Sequence, residues 1–386
     1  MPGTLNVGVI GCGNISSAYF RLSKLFQAIE VKACADLNME IAQAQAEQFG
    51  LEALSVEDLI SHSELDIVVN LTVPNAHFAV SKAILEAGKH VYSEKPLTLS
   101  LEDGLALRDL AEQKGLRVAC TPDTFLGGTH QQARAMIDAG TLGEIVGGTC
   151  HVLSHGMEHW HPNPDFFFQP GGGPVLDLGP YYIGNLIHLL GPVRYVTAMS
   201  SIPQKERTIT SQPRYGEKIP VTTPTTIHAV LEFANGALIT LGASWDIWQH
   251  GHRNMELYGT EGSLVVPDPN FFGGELLRSE RDGEFEAVAA EHHPFGIPNQ
   301  ENPRGAVANY RASGLADLAV AIQTGRDARC SIERPLHGVE VMTAILKSAD
   351  TRQTLELQTT CTQVQFVGPG ATWLLVQKHI GTGDIV

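Results

Sequence analysis

No apolar run in this chain approaches the ~20 residues needed to cross a bilayer, which excludes a helical membrane span. The opening residues, Met1-Pro2-Gly3-Thr4-Leu5-Asn6, lack the basic and apolar regions of a secretory signal peptide. A cytoplasmic location without a membrane partner is therefore expected. Basic residues are scarce: 26 Lys plus Arg against 42 Asp plus Glu leave a net charge of −16. That balance argues against nucleic acid or an anionic membrane surface as the partner. The six cysteines (Cys12, Cys34, Cys120, Cys150, Cys330, Cys361) include no C-x-x-C pair and read as buried free thiols without a disulfide or metal role. No internal repeat and no low-complexity linker interrupts the 386 residues. With 43% hydrophobic and 18% charged residues, the composition is that of a globular protein long enough for two domains.

Residues 1–122 alternate strand-like and helix-like patterns, the signature of a parallel sheet with helical crossovers. Strands are predicted at Val7–Ile10, Val31–Ala35, Asp66–Thr72, His90–Ser93 and Arg117–Cys120. Helices are predicted at Gly11–Leu25, Met39–Phe49, Asn75–Ala87 (closed by Gly88) and Leu101–Lys114. After Pro122 the texture changes to hairpins. Ile227–Phe233 and Ala237–Ala243 flank an Asn-Gly turn, and Met255–Gly259 and Ser263–Val266 form a second pair. These imply an open, mainly antiparallel sheet, with one face covered by helices at Gln131–Ala139, Tyr181–Leu190, Val307–Thr324 and Leu336–Ser348. The expected fold is an α/β Rossmann domain at 1–122 and an α+β substrate-binding and oligomerisation domain at 123–366. An extension at 367–386 contains Trp373-Leu374-Leu375-Val376.

The sharpest motif is Gly11-Cys12-Gly13-Asn14-Ile15-Ser16, a G-x-G-x-x-S turn between a strand and a helix. Gly11 permits the tight turn, and Gly13 lets a pyrophosphate approach the backbone, with Asn14 and Ile15 at the helix start. Ser16 is small enough for close packing at the third position. Asp36, ending the second strand, suits the adenosine ribose hydroxyls, although an isolated Asp there would also cap the next helix. No Arg or Lys follows directly, so NAD is favoured over NADP.

Two further elements carry a resemblance. The first is Leu71-Thr72-Val73-Pro74-Asn75 with His77, followed by Ser93-Glu94-Lys95-Pro96. The second is Gly171-Gly172-Gly173-Pro174-Val175-Leu176-Asp177-Leu178-Gly179-Pro180-Tyr181. From Val7 to about Leu357 the chain resembles the glucose-fructose oxidoreductase / inositol dehydrogenase (Gfo/Idh/MocA) family of NAD(P)-dependent sugar and polyol oxidoreductases. The resemblance implies that Lys95 is the active-site lysine and that Thr72, Pro74, Asn75, His77, Glu94 and Lys95 itself lie against the cofactor. It also implies homo-oligomers, dimer or tetramer, formed through the open sheet face. The family pattern continues D-x-G-x-H-x-x-D; here Asp177 and Gly179 match, Tyr181 replaces the His and Gly184 the last Asp. The glucose-fructose oxidoreductase branch is similar in having Tyr there, which gives Tyr181 the acid/base role. Residue chemistry agrees: an ammonium beside the reacting hydroxyl stabilises the negative charge that develops as its proton leaves. Pro180 suits the first position of a helix, along which Tyr181, Asn185 and His188 form a polar stripe facing the cleft.

The loop His155–Asp165 holds three histidines and Glu158 within seven residues, but its irregular spacing offers no defined metal geometry, and no metal is assigned. It reads instead as a sugar-binding loop. Trp160 would stack on a ring, His159, His161 and Asn163 would bind hydroxyls, and Asp123 is a further hydroxyl contact. Together these imply hydride transfer from a hydroxyl-bearing carbon of a sugar, glycoside or cyclic polyol to nicotinamide, with Lys95, Asp177 and Tyr181 as the reacting group. Two alternatives use the same fold. One is a glycoside-cleaving or epimerising enzyme with transient oxidation, and the other a non-catalytic nucleotide sensor.

Overall fold

The computed structural model describes residues 3–289, 292–302 and 305–372. The first half runs β1 (Leu5–Ile10), α1 (Ser16–Leu22), β2 (Ile29–Ala35), α2 (Met39–Phe49), β3 (Glu52–Leu54), α3 (Val56–Ser61), β4 (Ile67–Asn70), α4 (His77–Glu86), β5 (His90–Ser93), α5 (Leu101–Lys114) and β6 (Val118–Cys120). Its six strands are all parallel, in the order β3-β2-β1-β4-β5-β6. The order reverses direction between β1 and β4, so a crevice opens at their carboxyl ends, where such sheets bind ligands.

The second half contains α6 (Gly128–Asp138), β7 (Ile145–Leu153), α7 (Pro174–Leu190), β8 (Val193–Ser201), β9 (Glu206–Thr208), β10 (Lys218–Pro220), β11 (Thr226–Phe233), β12 (Leu238–Ser244), β13 (Met255–Gly259), β14 (Gly262–Val266), β15 (Leu277–Glu280) and β16 (Glu286–Ala287). It continues with β17 (Gln300–Asn302), β18 (Gly305–Val307), α8 (Ser313–Thr324), α9 (Glu333–Thr351), β19 (Leu355–Glu356) and α10 (Pro369–Thr372). A nine-stranded sheet, β16-β15-β14-β13-β7-β12-β11-β8-β19, is antiparallel except where β7 lies parallel to β12. Alternation sets its faces: Ile227, Ala229, Leu231 and Phe233 of β11 are buried under α7, while His228 and Val230 face outward.

Helices α1 and α8 span Ser16–Leu22 and Ser313–Thr324 rather than the expected Gly11–Leu25 and Val307–Thr324, Val307 lying in β18, and the structure departs from the sequence expectation in three further places. Helix α8 does not cover the antiparallel sheet. Its Leu315, Ala316, Leu318 and Ala319 share a core with Val7, Val9, Cys34 and Val69 of the parallel sheet. The chain therefore returns to the first domain, and residues 330–332 flank β6 through the Cys120 N–H to Cys330 and Ile332 N–H to Val118 bonds. A single cut after residue 122 misses this return. The second departure is α7, which begins at Pro174 rather than Pro180. Gly173, at φ +90°, supplies the turn in front of it, and Pro180 sits inside the helix. The third is the polar stripe on α7. Asn185 and His188 are buried and face His130 and Gln131 of α6, not an open cleft. The Trp373–Val376 segment lies outside the described residues. Among the described residues no helix is long and apolar enough to cross a membrane.

Candidate active site

The glycine turn is shaped for a ligand. Gly11 has φ +101°, and a β-carbon there would sit 2.7 Å from the Leu71 carbonyl oxygen, so no other residue fits. A β-carbon at Gly13 would meet nothing within 4 Å; it would project into the open space at the start of α1 where a pyrophosphate would sit. Ser16 is fully buried and donates to the Gly13 carbonyl at 2.7 Å, closing the turn. Asp36 is anchored by the Cys12 N–H at 2.8 Å on one oxygen and the Asn38 N–H at 2.9 Å on the other. Each oxygen keeps a lone pair for a ribose hydroxyl. These residues fit a dinucleotide.

At the end of β4, buried Asn70 donates to the His77 carbonyl and Ser81, and it accepts the Thr72 hydroxyl at 2.6 Å. This shapes the Thr72–Asn75 loop, on which Pro74 opens a short helical turn and Asn75 is exposed. His77 is a brace rather than a cofactor contact. It is 1% exposed, and its two ring nitrogens face the Pro96 carbonyl at 2.6 Å and the Thr72 carbonyl at 2.9 Å. Its position one helical residue behind the loop turns the ring inward, which the sequence motif does not reveal.

Lys95, Asp177 and Tyr181 come together across the two sheets. The Lys95 ammonium donates to the Asp177 carboxylate and carbonyl, both at 2.8 Å, and lies 5.4 Å from the centre of the Tyr181 ring. Asp177 and Tyr181 are one turn apart on α7 and so share a face. Asp177 also lies in the first turn, where a carboxylate is favoured. Burial opposes the Lys95 charge, but Asp177, Tyr181 and Glu94 outweigh it and raise its pKa. Among the described residues two of its three N–H donors are spent, which leaves one for a substrate oxygen. Among the described residues nothing hydrogen-bonds to the Tyr181 hydroxyl. A cavity of about 40 Å³ lined by Tyr181, Pro122, Phe125, Asn185 and Met342 is too small for a sugar ring.

Glu94 is the most heavily engaged carboxylate of the site. One oxygen accepts the Tyr19 hydroxyl at 3.0 Å and Arg311 Nη1 at 2.8 Å; the other accepts the Lys95 N–H at 3.0 Å and the Thr121 hydroxyl at 3.1 Å. Burial alone would raise its pKa, but Arg311, Lys95 and these donors hold it below the usual value. Tyr19, Thr121 and Arg311 escape the sequence reading because no motif contains them and Arg311 lies 217 residues from its partner.

Asp123 is closed off from any substrate, contrary to the sequence expectation. It is 1% exposed and accepts the Gly314 N–H at 3.1 Å and the Ser313 and Tyr92 hydroxyls, each at 3.3 Å. Burial raises its pKa. The aromatic loop does project: Trp160 is 57% exposed, beside exposed His159 and Asn163 and half-buried His161. Glu158 turns inward to Arg207 at 2.8 Å, and Arg207 also pairs with Asp246, which anchors the loop over Phe168 and Trp245. Trp248, 74% exposed and stacked on His155, extends the aromatic surface and was not read from the sequence.

A parallel sheet of this order with a nucleotide-fitted glycine turn and a Lys–Asp–Tyr group defines an NAD-binding oxidoreductase. Residues 5–121 match the oxidoreductase family with an NAD-binding Rossmann fold, and residues 130–265 match the GFO/IDH/MocA C-terminal domain. Levoglucosan dehydrogenase of Pseudarthrobacter phenanthrenivorans is 30% identical over 336 residues, 76% of this chain and 82% of that protein. The chain belongs to the Gfo/Idh/MocA family. D-glucoside 3-dehydrogenase of Escherichia coli is 28% identical, covering 71% of this chain and 81% of its own. An uncharacterized oxidoreductase of Schizosaccharomyces pombe is 29% identical, over 56% of this chain but only 63% of its own length. The solved structure of levoglucosan dehydrogenase with NADH shares the fold, with a TM-score of 0.79 at 24% identity, covering 92% of this chain and all of that one.

Proposed function

We propose that the protein oxidises a ring hydroxyl of a sugar, glycoside or cyclic polyol, using NAD in preference to NADP. The observation that carries this reading is the Lys95–Asp177–Tyr181 group, in which, among the described residues, one ammonium donor and the phenol hydroxyl have no hydrogen-bond partner. Bound NAD supplies the hydride acceptor at nicotinamide C4. The chain holds it through Gly11, Gly13, Asn14, Ile15 and Asp36, with the Thr72–Asn75 loop and Glu94 toward the nicotinamide end. Lys95 hydrogen-bonds the reacting oxygen and stabilises negative charge there while Tyr181 takes the hydroxyl proton. Asp177 fixes the ammonium beside Tyr181. Trp160 offers a ring face, and His159, His161 and Asn163 offer polar contacts for the remaining hydroxyls.

The relatives named for levoglucosan and D-glucoside oxidation support a carbohydrate substrate. The preference for NAD rests on Asp36, which has no neighbouring cation at residues 37–41. Six buried free cysteines support a reducing, cytoplasmic setting. Exposed Met199, Val230 and Leu238 on the outer face of the nine-stranded sheet support a homo-oligomer. A spectrophotometric screen of monosaccharides, inositols and glycosides tests the proposal. NADH should accumulate with at least one of them. Turnover without NADH accumulation would instead identify a glycoside-cleaving or epimerising enzyme, and lactate-like acids reacting in place of any ring would overturn the substrate class.

A further inference from the structure

Arg311 enters the site from a distant part of the chain. It precedes α8, next to Ala312, whose φ of +78° turns the chain into the helix. Its side chain is 15% exposed, its guanidinium lies 5.9 Å from the centre of the Tyr19 ring, and its charge acts on Glu94, Tyr181, Tyr19 and Asp123. Asp123 clasps the next residues through the Gly314 N–H and the Ser313 hydroxyl. Two carboxylates at the ends of the parallel strands thus fasten residues 311–314 against the reaction centre, one through a side chain and one through the backbone.

The charges explain why the fastening matters. Glu94 is adjacent in sequence to Lys95, is buried, and acts electrostatically on its ammonium. Two carboxylates act on Lys95: Asp177, which accepts from its ammonium at 2.8 Å, and Glu94, which accepts from its backbone N–H at 3.0 Å. Arg311 is the side-chain cation paired with Glu94 at 2.8 Å, while Lys95 is paired with Asp177 at 2.8 Å. A buried carboxylate stripped of its partner is left uncompensated, and the other cation whose charge acts on Glu94 is the Lys95 ammonium.

We propose that Arg311 is a positioning residue for the reaction: by occupying Glu94, it keeps Glu94 from drawing the Lys95 ammonium away from Asp177 and Tyr181. This rests on the reading of Lys95 and Tyr181 given under Proposed function. It assigns a working part of the site to the segment that returns from the second domain, and it gives the Asp123 clasp the task of holding that segment in place.

The test compares Arg311→Met, Arg311→Lys, Glu94→Gln and the Arg311→Met/Glu94→Gln double variant in the full chain. Arg311→Met should lower kcat by about tenfold or more, since small displacements of a reacting group are costly. NAD affinity and the substrate KM should stay within about threefold. Arg311→Lys should recover much of the loss. The double variant should be faster than Arg311→Met alone, because removing the Glu94 charge removes the competition. Additive losses in the double variant, or an unchanged kcat in Arg311→Met, would overturn the proposal.

A substrate-independent readout separates this proposal from the functional one. Trace acetylation of Lys95 by acetic anhydride, followed by mass spectrometry, should fall several-fold in Arg311→Met, where Glu94, no longer paired with Arg311, holds the ammonium protonated. It should return in the double variant. Unchanged labelling overturns the role of Arg311 even if no substrate is found. A normal labelling pattern with no turnover on any ring compound overturns the proposed function and leaves Arg311 as the residue that positions Lys95.

Discussion

Replacing Asp36 with alanine removes the acceptor that the glycine turn holds ready for the adenosine ribose. The carboxylate is already oriented by backbone N–H groups of Cys12 at 2.8 Å and Asn38 at 2.9 Å, so little entropy is lost when a ribose binds. A hydrogen bond to a charged acceptor contributes about 1.5–3 kcal/mol. Asp36 is only half-buried, so the lower figure applies to each of the two hydroxyls, about 3 kcal/mol together. That corresponds to a loss of roughly 150-fold in NAD affinity, measured by calorimetric titration. NADP behaves oppositely. Its 2′-phosphate would meet Asp36 and nearby Glu40 without a cation among residues 37–41. It should therefore bind the unmodified protein more weakly than NAD, and Asp36→Ala should close the gap from both sides. The variant also leaves two backbone N–H groups without their acceptor, and melting temperature serves as the control for that local effect. Equal NAD and NADP affinities in the unmodified protein would refute the reasoning, as would an Asp36→Ala protein that keeps NAD affinity within threefold.

Three other outcomes are expected. Lys95→Met should leave NAD affinity within a few-fold while lowering kcat by on the order of 10² or more; steady-state kinetics showing near-normal turnover would remove Lys95 from the mechanism. Arg207→Met strands the buried carboxylates Glu158 and Asp246 and should destabilise the protein by about 3–5 kcal/mol in urea unfolding, and an unchanged midpoint would show that the loop is anchored otherwise. Burial pushes His130 and His337 down to about 4 from 6.5, so the unfolded chain binds more protons than the folded one between those values. Stability should therefore fall as pH drops from 6.5 toward 4, by up to about 2.7 kcal/mol per pH unit for the pair, and a flat urea midpoint across that range would contradict their burial as neutral rings.

The parallel half of the fold was legible because its signals are local. Helices α2 and α5 and strand β5 fall on the residues that periodicity and flanking turns indicate, and the glycine turn lies where the strand–helix junction requires it. Long-range packing was not legible. The pattern of residues 313–324 identifies a helix, yet small residues such as Ala316 and Ala319 suit either sheet, and only the tertiary structure assigns α8 to the parallel one. Pro180 misled because proline favours a helix start; Gly173 and Pro174 provide an earlier one, and the Gly171–Gly173 run resembles a plain loop. Within the site, Lys95, Asp177 and Tyr181 were readable because two motifs carry them. The Arg311–Glu94 and Gly314–Asp123 contacts join residues 217 and 191 positions apart, with no periodic or motif signal on the later partner. His77 and Asp123 were misassigned for the same reason: a polar residue beside a binding loop looks the same in sequence whether it faces a ligand or the interior.

The reaction centre itself is tested most directly by the kcat of Tyr181→Phe on whichever ring compound the NADH screen identifies. The substitution keeps the 7%-exposed ring and its packing and removes only the hydroxyl, so melting temperature should hardly change. A loss of about 10²–10⁴ in kcat with NAD affinity preserved is the predicted result. A Tyr181→Phe protein that oxidises the same ring compound at the unmodified rate would contradict it.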